Sequence, residues 1–283
     1  MHRELRTLEY SWHAGSKEFV LRMVPVPGTG GTPFPFGGAT SGRLIEVPPF
    51  YIATTPVTQA LWLLVMGANF ATRRDPDCPM DNVSWNDIST PGGFLDRLNA
   101  SEVRSAMTQH DPRLRFRLPS ESEWEFAARG GPSWPDGFIY SGSNDPDAVA
   151  WYGPRWNRVH DFAARVLGWN TAWRLMGTFP WYGRLGTHMH PVALKAPNQL
   201  GIYDMSGNVW EWCQDVCTDD LTQVPTDGTP YLGTGDERRL RGGCHHNWDL
   251  HTTVAWRYGI VPDAHDGCIG FRVVLASRLD DIA

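Results

Sequence analysis

The sequence predicts a mixed α and β protein in which ordered loops take an unusually large share. Short apolar stretches with strand-like alternation are followed by helices whose ends are marked by capping side chains and glycines. The 283 residues include 29 Gly and 22 Pro, which indicate many turns. The 14 Trp each need a buried ring and a partner for the N–H, which predicts an irregular, hydrogen-bonded core.

Two strands and a capped helix are predicted in the first quarter of the chain. Residues 19–25 alternate loosely before a glycine-rich turn, and residues 44–52 form a second strand-like run. Thr58 is placed to cap a helix, and Gly67 is placed to end it in the left-handed conformation.

Capping boxes mark two further helix starts. Ser84 and Asp87 begin a helix that a Pro-Gly-Gly stretch interrupts before residues 94–100 become helical again. Ser120 and Glu123 form the clearest capping box of the chain. Three glutamates close together here suggest acid–base catalysis as an alternative, but carboxylates at the positive end of a helix have a structural role that explains them.

The second half of the chain has weaker local signals. Residues 132–190 are rich in Trp, Gly, Pro and Asp and are predicted as long loops with one short helix at 169–176. Residues 238–243 and 270–275 are predicted as two strands of a common terminal sheet.

Composition excludes several classes of function. A net charge of −6 and a pI near 5.9 argue against nucleic-acid and anionic-membrane partners. No apolar run approaches the length of a membrane span, and no signal peptide is visible, so a cytoplasmic location is the default expectation. The odd count of five Cys favours free thiols in a reducing compartment, with a Cys213–Cys217 or Cys244–Cys268 bridge as the alternative.

Residues 244–268 show neither helical nor strand periodicity. They lie between two framework motifs, Arg-Gly-Gly at 241–243 and Ile-Gly-Phe-Arg-Val-Val at 269–274. Irregular segments held by a rigid scaffold commonly carry binding residues. We therefore expect residues 245–251 and 258–268 to be more exposed than the two framework motifs.

A set of motifs along the chain resembles one superfamily. In order they are Phe-Tyr-Ile at 50–52, Pro-Val-Thr at 56–58, Pro-Met-Asp-Asn-Val-Ser-Trp at 79–85, Ser-Glu-Ser-Glu-Trp-Glu-Phe-Ala-Ala-Arg-Gly-Gly at 120–131, Gly-Asn-Val-Trp-Glu-Trp at 207–212, and the two framework motifs. Together they resemble the formylglycine-generating enzymes, or sulfatase-modifying factors. The resemblance implies an α+β protein with the C-type lectin fold of the formylglycine-generating-enzyme type. It implies a single domain over residues 1–283, with an insertion at 132–190 and a variable binding segment at 244–268.

Within this superfamily, the enzymes bind copper through two cysteines that follow the Arg-Gly-Gly motif. Aligned from Arg241, those positions are Asn247 and Thr252, and neither supplies the thiolate that Cu(I) needs. The resemblance therefore implies a protein that is not an enzyme. A metal-dependent oxidative enzyme with an atypical active site is the alternative.

The variable proteins of diversity-generating retroelements are a better match. Some of them use this fold and diversify a C-terminal segment that ends in an Ile-Gly-Phe-Arg-Val-type motif. Adenine-directed mutagenesis of their codons does not yield Lys, Glu, Gln or Met, and none of these occurs between Cys244 and Cys268. The resemblance implies recognition of a protein or cell-surface ligand of unknown identity. The candidate contact residues are His245, His246, Asn247, Asp249, Leu250, His251, Tyr258, Gly259, Ile260, Asp263, Ala264, His265, Asp266, Gly267 and Cys268.

Three other clusters have competing interpretations. Imidazole and thiolate suit zinc, so the histidines of the segment with Cys244 or Asp249 suggest a metal site, but their spacing is not that of a known one. The resemblance places possible structural calcium ligands at Asp204, Gly207, Val209 and Glu211, against a purely structural role for Glu211. The arginines of the framework are interpreted as buried and paired.

Overall fold

The computed structural model describes residues 6–38, 42–153 and 188–277. The helices and strands, in chain order, are β1 (Leu8–Ala14), β2 (Lys17–Val26), β3 (Phe34–Phe36), β4 (Arg43–Ile45), β5 (Phe50–Ala53), α1 (Gln59–Met66), α2 (Trp85–Ser89), α3 (Phe94–Ala100), α4 (Glu102–Met107), β6 (Arg115–Arg117), α5 (Glu121–Ala128), α6 (Pro146–Val149), β7 (Trp210–Val216), β8 (Arg238–Arg241), β9 (Arg257–Ile260), β10 (Ile269–Gly270) and β11 (Val274–Ala276). Short 3₁₀ turns occur at Gly131–Asp136, Leu221–Gln223 and Asp249–Thr252.

The larger sheet is antiparallel and has the strand order β1-β2-β5-β11-β6. Successive residues of β5 face opposite sides, as the two-residue period of a strand requires. Tyr51 and Ala53 pack with helices α1, α3 and α4, whereas Ile52 packs with α5 and the small β3–β4 hairpin. Both faces of the sheet are therefore buried at β5, which is apolar and buried along its whole length, whereas β1 at the edge is largely exposed.

The smaller sheet carries the segment of interest and has the order β10-β7-β8-β9. Strands β7, β8 and β9 are antiparallel neighbours, and β10 runs parallel to β7 with Ile269 opposite Trp210. Residues 244–256 connect β8 to β9, and residues 261–268 connect β9 to β10. Both connections thus begin and end on one sheet.

The helices with predicted caps are confirmed. The Thr58 side chain accepts from the Leu61 N–H, and Gly67 is left-handed with φ 76°. Both predicted capping boxes, at Ser84 and at Ser120, are present. These contacts span three residues, so local sequence is sufficient to specify them.

The strand predictions need two corrections. Residues 44–52 form two strands, because Pro48 and Pro49 cannot continue a hydrogen-bonded ladder. The predicted strand at 19–25 lies within β2, but its partner β1 was not predicted. The α+β class is confirmed.

The prediction of a common terminal sheet is only half right. Residues 269–270 join the sheet of β8, but residues 274–276 join the larger sheet. The chain crosses between the sheets at residues 271–273, where the Arg272 side chain is wholly buried. Its guanidinium donates to the Ala53 carbonyl of the larger sheet, to the Glu211 carboxylate of the smaller sheet and to the Tyr203 carbonyl, so this side chain links the two sheets.

The predicted insertion at 132–190 lies only partly within the described residues. Its described ends contain the 3₁₀ turn and the short α6, in keeping with a loop-rich segment. The predicted helix at 169–176 lies outside the described residues. Among the described helices, none combines the length and the apolar character needed to cross a bilayer.

Candidate functional site

Two glycines turn the chain out of β8 into the segment. Gly242 and Gly243 are left-handed, with φ 91° and φ 71°. A Cβ on Gly243 would lie 2.7 Å from the His251 carbonyl oxygen, closer than van der Waals contact permits. Glycine at this position therefore lets the loop that follows fold back against its own start.

A buried ionic network holds both ends of the connection between β8 and β9 to helix α5. Arg241 donates to Glu121 at 2.9 Å and to Glu125 at 2.7 Å, and Arg257 donates two bonds of 2.6 Å to Glu121. Burial raises the pKa of Glu121, but the bonds from Arg257 and the charge of Arg241 outweigh it, so the pKa lies below its usual value. The structural interpretation of these arginines is confirmed. The helix-start interpretation of the glutamates was incomplete, because Glu121 and Glu125 also neutralise buried arginines.

A second buried pair closes the far end of the segment. Arg272 donates Nε and Nη2 to the two carboxylate oxygens of Glu211, each at 2.6 Å. The Trp124 indole N–H donates to the same carboxylate at 2.6 Å. Three motifs that are far apart in the sequence are therefore joined in one hydrogen-bonded network beneath the sheet, through Trp124, Glu211 and Arg272.

The first part of the segment is more buried than predicted. His245, Asp249 and His251 are 4%, 8% and 7% exposed, whereas His246 is exposed and Asn247 and Leu250 are half-buried. His245 is held inward because its backbone N–H and its ring Nδ1 both bond the Asn208 carbonyl, at 3.0 and 2.8 Å. Trp248 is also buried, at 2% exposed, so the expected exposure of residues 245–251 is wrong for four of these seven residues.

The second part of the segment is exposed as predicted. None of residues 258–268 is buried, in contrast to the framework on either side. The exposed side chains are those of Tyr258, Val261, Asp263, His265 and Asp266. The half-buried positions are Gly259, Ile260, Pro262, Ala264, Gly267 and Cys268.

An open pocket of about 420 Å³ lies over the smaller sheet. Nine of its twelve lining residues come from 244–268: Cys244, His246, Asn247, His251, Trp256, Tyr258, Ile260, Asp266 and Cys268. The remaining three, Trp210, Leu240 and Ile269, belong to the sheet beneath. The segment therefore forms the walls of this pocket, and the framework forms its floor.

Thiols and imidazoles converge on one side of the pocket. The donor atoms of Cys244, His245 and Cys268 all lie within 4.8 Å of one another. The His246 Nδ1 atom lies 3.2 Å from the Cys268 sulfur. All five cysteines are free, so neither of the two alternative bridges is formed. Cys268, which follows Cys244 by 24 positions, was predicted as a contact residue with a bridge to Cys244 as the alternative, and it was not predicted as a metal ligand.

Burial lowers the pKa of His245 and that of His251 to about 4, because a buried imidazolium loses its hydration. Both rings are therefore neutral at physiological pH. The pKa of Cys268 is shifted in the opposite direction. The hydrogen bond between Cys268 and Cys244, and then burial, raise the pKa of Cys268.

The burial of His251 predicts a loss of stability in acid. The folded-state pKa of about 4 lies below the unfolded value of 6.5, so the unfolded chain binds the proton first. The stabilisation is present above pH 6.5 and is lost as pH falls towards 4, on the order of 1–3 kcal/mol. Urea unfolding across this range should show a shallower decline for His251→Gln than for the wild type. Parallel pH profiles would contradict the assignment.

The positions of the family's copper ligands do not fit a copper site here. Asn247 uses its side-chain oxygen to accept the Cys244 N–H at 2.9 Å. Thr252 is wholly buried, and its hydroxyl donates to the Asp249 carbonyl at 2.7 Å. Both side chains thus serve the fold of the loop, and neither is a soft ligand.

The possible calcium ligands lie under β7. Asp204 accepts the Ala193 N–H at 2.8 Å, and burial raises its pKa to about 6. Both carboxylate oxygens of Glu211 already bind the Arg272 cation. A second cation at Glu211 would be repelled by Arg272, which favours the structural role. Calcium binding by Asp204, Gly207, Val209 and Glu211 stays a prediction.

Two formylglycine-generating enzymes are similar to this chain in sequence, and a solved structure is similar to it in fold. The chain is 31% identical over 275 residues to the formylglycine-generating enzyme of Thermomonospora curvata, covering 93% of this chain and 71% of the enzyme. It is 32% identical to the corresponding enzyme of Streptomyces coelicolor, covering 75% of this chain and 59% of the enzyme. Among solved structures, Treponema denticola variable protein 1 is similar in fold, with a TM-score of 0.67 and 24% identity over 94% of this chain and 98% of that chain.

These likenesses agree with the predicted C-type lectin-like fold of the formylglycine-generating-enzyme type. The chain spans less than two thirds of the length of the Streptomyces coelicolor enzyme, so the likeness covers only part of that enzyme. The model of the sulfatase-modifying factor enzyme 1-like domain matches residues 22–277, nearly the whole described region. The chain belongs to the family of sulfatase-modifying factor enzyme 1-like domains.

Proposed function

We propose that this chain is a ligand-binding protein of the variable-protein kind, whose recognition surface is the pocket formed by residues 244–268. The observation that carries the proposal is the composition of the pocket wall. Nine of the twelve lining residues come from residues 244–268, a segment without sequence periodicity. Changes at its exposed positions, such as His246 and Tyr258, would alter the pocket and leave the sheet beneath it in place.

The chemistry of the pocket suits adaptable recognition. Trp210 and Tyr258 pack with ring centroids 5.5 Å apart and leave Tyr258 half exposed. Trp256 is also exposed, and His246 and Asp266 add polar groups at the rim. Aromatic side chains supply contact area at low conformational entropy cost, and small polar groups supply hydrogen bonds. A protein or cell-surface ligand with an apolar projection and a polar border fits this arrangement.

The fold likeness to Treponema denticola variable protein 1 supports the use of such a scaffold for a diversified surface. The genomic locus tests this directly. We expect an adenine-rich near-copy of the codons for residues 244–268 beside a reverse transcriptase gene. A locus that lacks both would remove the diversification from the proposal.

A surface that varies must be separable from folding. We expect the combined substitution of His246, Tyr258 and Asp263 by alanine to change the free energy of unfolding by no more than about 1 kcal/mol, because all three are exposed. His251 is left out of this set because it is buried. Urea unfolding of this variant, beside a control with exposed Leu194 and Leu232 replaced by serine, measures the effect. A loss of several kcal/mol in the pocket variant alone would place these side chains in the fold and remove the recognition surface.

An oxidative enzyme is the second candidate, favoured by the thiols of Cys244 and Cys268 in the pocket and by the names of the relatives. The family's two copper positions carry Asn247 and Thr252, so we expect no copper-dependent conversion of a cysteine-containing peptide to formylglycine. Mass spectrometry of the peptide after incubation with the copper-loaded chain checks this. Turnover that disappears in Cys268→Ser would establish the enzyme instead.

A further inference from the structure

We infer that Cys244, His245 and Cys268 bind zinc at the floor of the pocket, leaving one coordination position open towards the pocket. The site uses neither of the positions that carry copper ligands in the family. It also does not depend on the recognition function proposed above, since a metal can be bound whether or not the pocket takes a partner.

The spacing of the three donor atoms suits a tetrahedral cation. They lie within 4.8 Å of one another without a metal. Zn–S bonds of about 2.3 Å hold two sulfur ligands roughly 3.8 Å apart, so only a small contraction is needed. Binding releases the proton of each thiol, and two thiolates with one imidazole then complete three of the four positions.

Hydrogen bonds fix the backbone position of both cysteines. The Cys268 carbonyl accepts the Trp210 N–H of β7 at 2.7 Å. The Cys244 N–H is held by the Asn247 side chain, as described above. Because these hydrogen bonds hold the backbone at both cysteines, the two sulfur atoms cannot easily move apart.

The orientation of His245 is that of a metal ligand with an outer partner. Its Nδ1 atom lies 2.8 Å from the Asn208 carbonyl oxygen, which can only accept, so Nδ1 carries the proton. The lone pair is therefore on Nε2. Metal-bound histidines commonly donate their other nitrogen to a carbonyl in this manner, which fixes the tautomer and the ring direction.

The charges around the cluster favour a dication. The Asp266 carboxylate accepts the Cys268 N–H at 2.7 Å and adds a negative charge beside the sulfur. No lysine or arginine is among the residues that line the described pocket. His246 is exposed, and its Nδ1 atom lies 3.2 Å from the Cys268 sulfur.

The test uses the full chain, purified metal-free under a reducing agent, with Co²⁺ as a spectroscopic substitute for zinc. We expect one Co²⁺ per chain, a thiolate-to-metal charge-transfer band, and the intense visible bands of a tetrahedral ion. Stoichiometric Zn²⁺ should remove these bands and raise the melting temperature. Cys268→Ser should lose the charge-transfer intensity of one thiolate and lower the affinity by more than about tenfold.

Controls separate metal binding from folding. Cys217→Ser removes a half-buried thiol outside the pocket and should keep the full spectrum and affinity. Metal-free melting curves identify any variant that fails to fold, and His245→Gln provides a second ligand variant. Three results would overturn the site: no charge-transfer band, binding unaffected by His245→Gln, or a Cys244–Cys268 disulfide that survives the reducing agent. The locus and peptide experiments above are independent of all three.

Discussion

Replacing Arg272 with methionine is expected to lower the free energy of unfolding by about 3–5 kcal/mol. Arg272 and Glu211 are wholly buried and joined by two bonds of 2.6 Å. Among the described residues, the variant leaves the buried Glu211 carboxylate with the Trp124 indole N–H as its remaining side-chain donor. A buried charge without a partner destabilises the fold by more than the intact ion pair stabilises it, so the loss of unfolding free energy is large.

Urea unfolding measures the effect of Arg272→Met, and two further variants make the result specific. Arg113→Met breaks a pair with Asp111 in which the arginine is 78% exposed, and it should cost no more than about 1 kcal/mol. The double variant Glu211→Gln with Arg272→Met should be less destabilised than the sum of the single variants, because it removes the stranded charge. Equal losses for Arg272→Met and Arg113→Met would show that the buried pair has no special role.

The second large effect is expected at Glu121. Its carboxylate binds both Arg241 and Arg257 and is 1% exposed. Glu121→Gln keeps the shape but removes the charge that compensates two guanidinium groups, so we expect a loss of at least about 3 kcal/mol. Because Arg257 begins β9, the loss should also loosen the strand that carries Tyr258.

Urea unfolding and amide hydrogen exchange together measure these consequences. The amides of β9 should exchange faster in Glu121→Gln, while those of β1, on the other sheet, change less. Glu102→Gln is the matched control, since Glu102 is exposed and accepts the Tyr10 hydroxyl at 2.8 Å. An equal increase of the amide exchange rates in β9 and β1 would mean that Glu121 stabilises the whole fold and has no particular link to the pocket.

The larger part of the fold was predictable from the order of the motifs. The capped helices need only residues three positions apart, as at Ser84 and Asp87, so their signals survive in the sequence alone. The exposed half of the segment was also predictable. Residues 258–268 are unburied, although residues 257–260, for which no strand was predicted, form the edge strand β9.

The membership of the candidate site was less predictable. His245 and His251 were expected at the surface and are buried, because the loop folds back over the two left-handed glycines. Asn208, which orients His245, was not predicted as part of the site. Asparagine tolerates the left-handed φ of 64° at this position, but this conformation is visible only once the backbone is known.

What the sequence by itself determined is the family, the α+β class, the helix starts and the segment that forms the pocket wall. Only the tertiary structure decided that Glu121 meets Arg241 across 120 positions, that Cys244 meets Cys268, and that the last framework motif is divided between two sheets. Caps and turns are specified by bonds within a few residues, and their energy is local. Pairings between distant groups depend on how whole elements pack, because a buried charge or thiol takes its partner from whatever element the core places beside it.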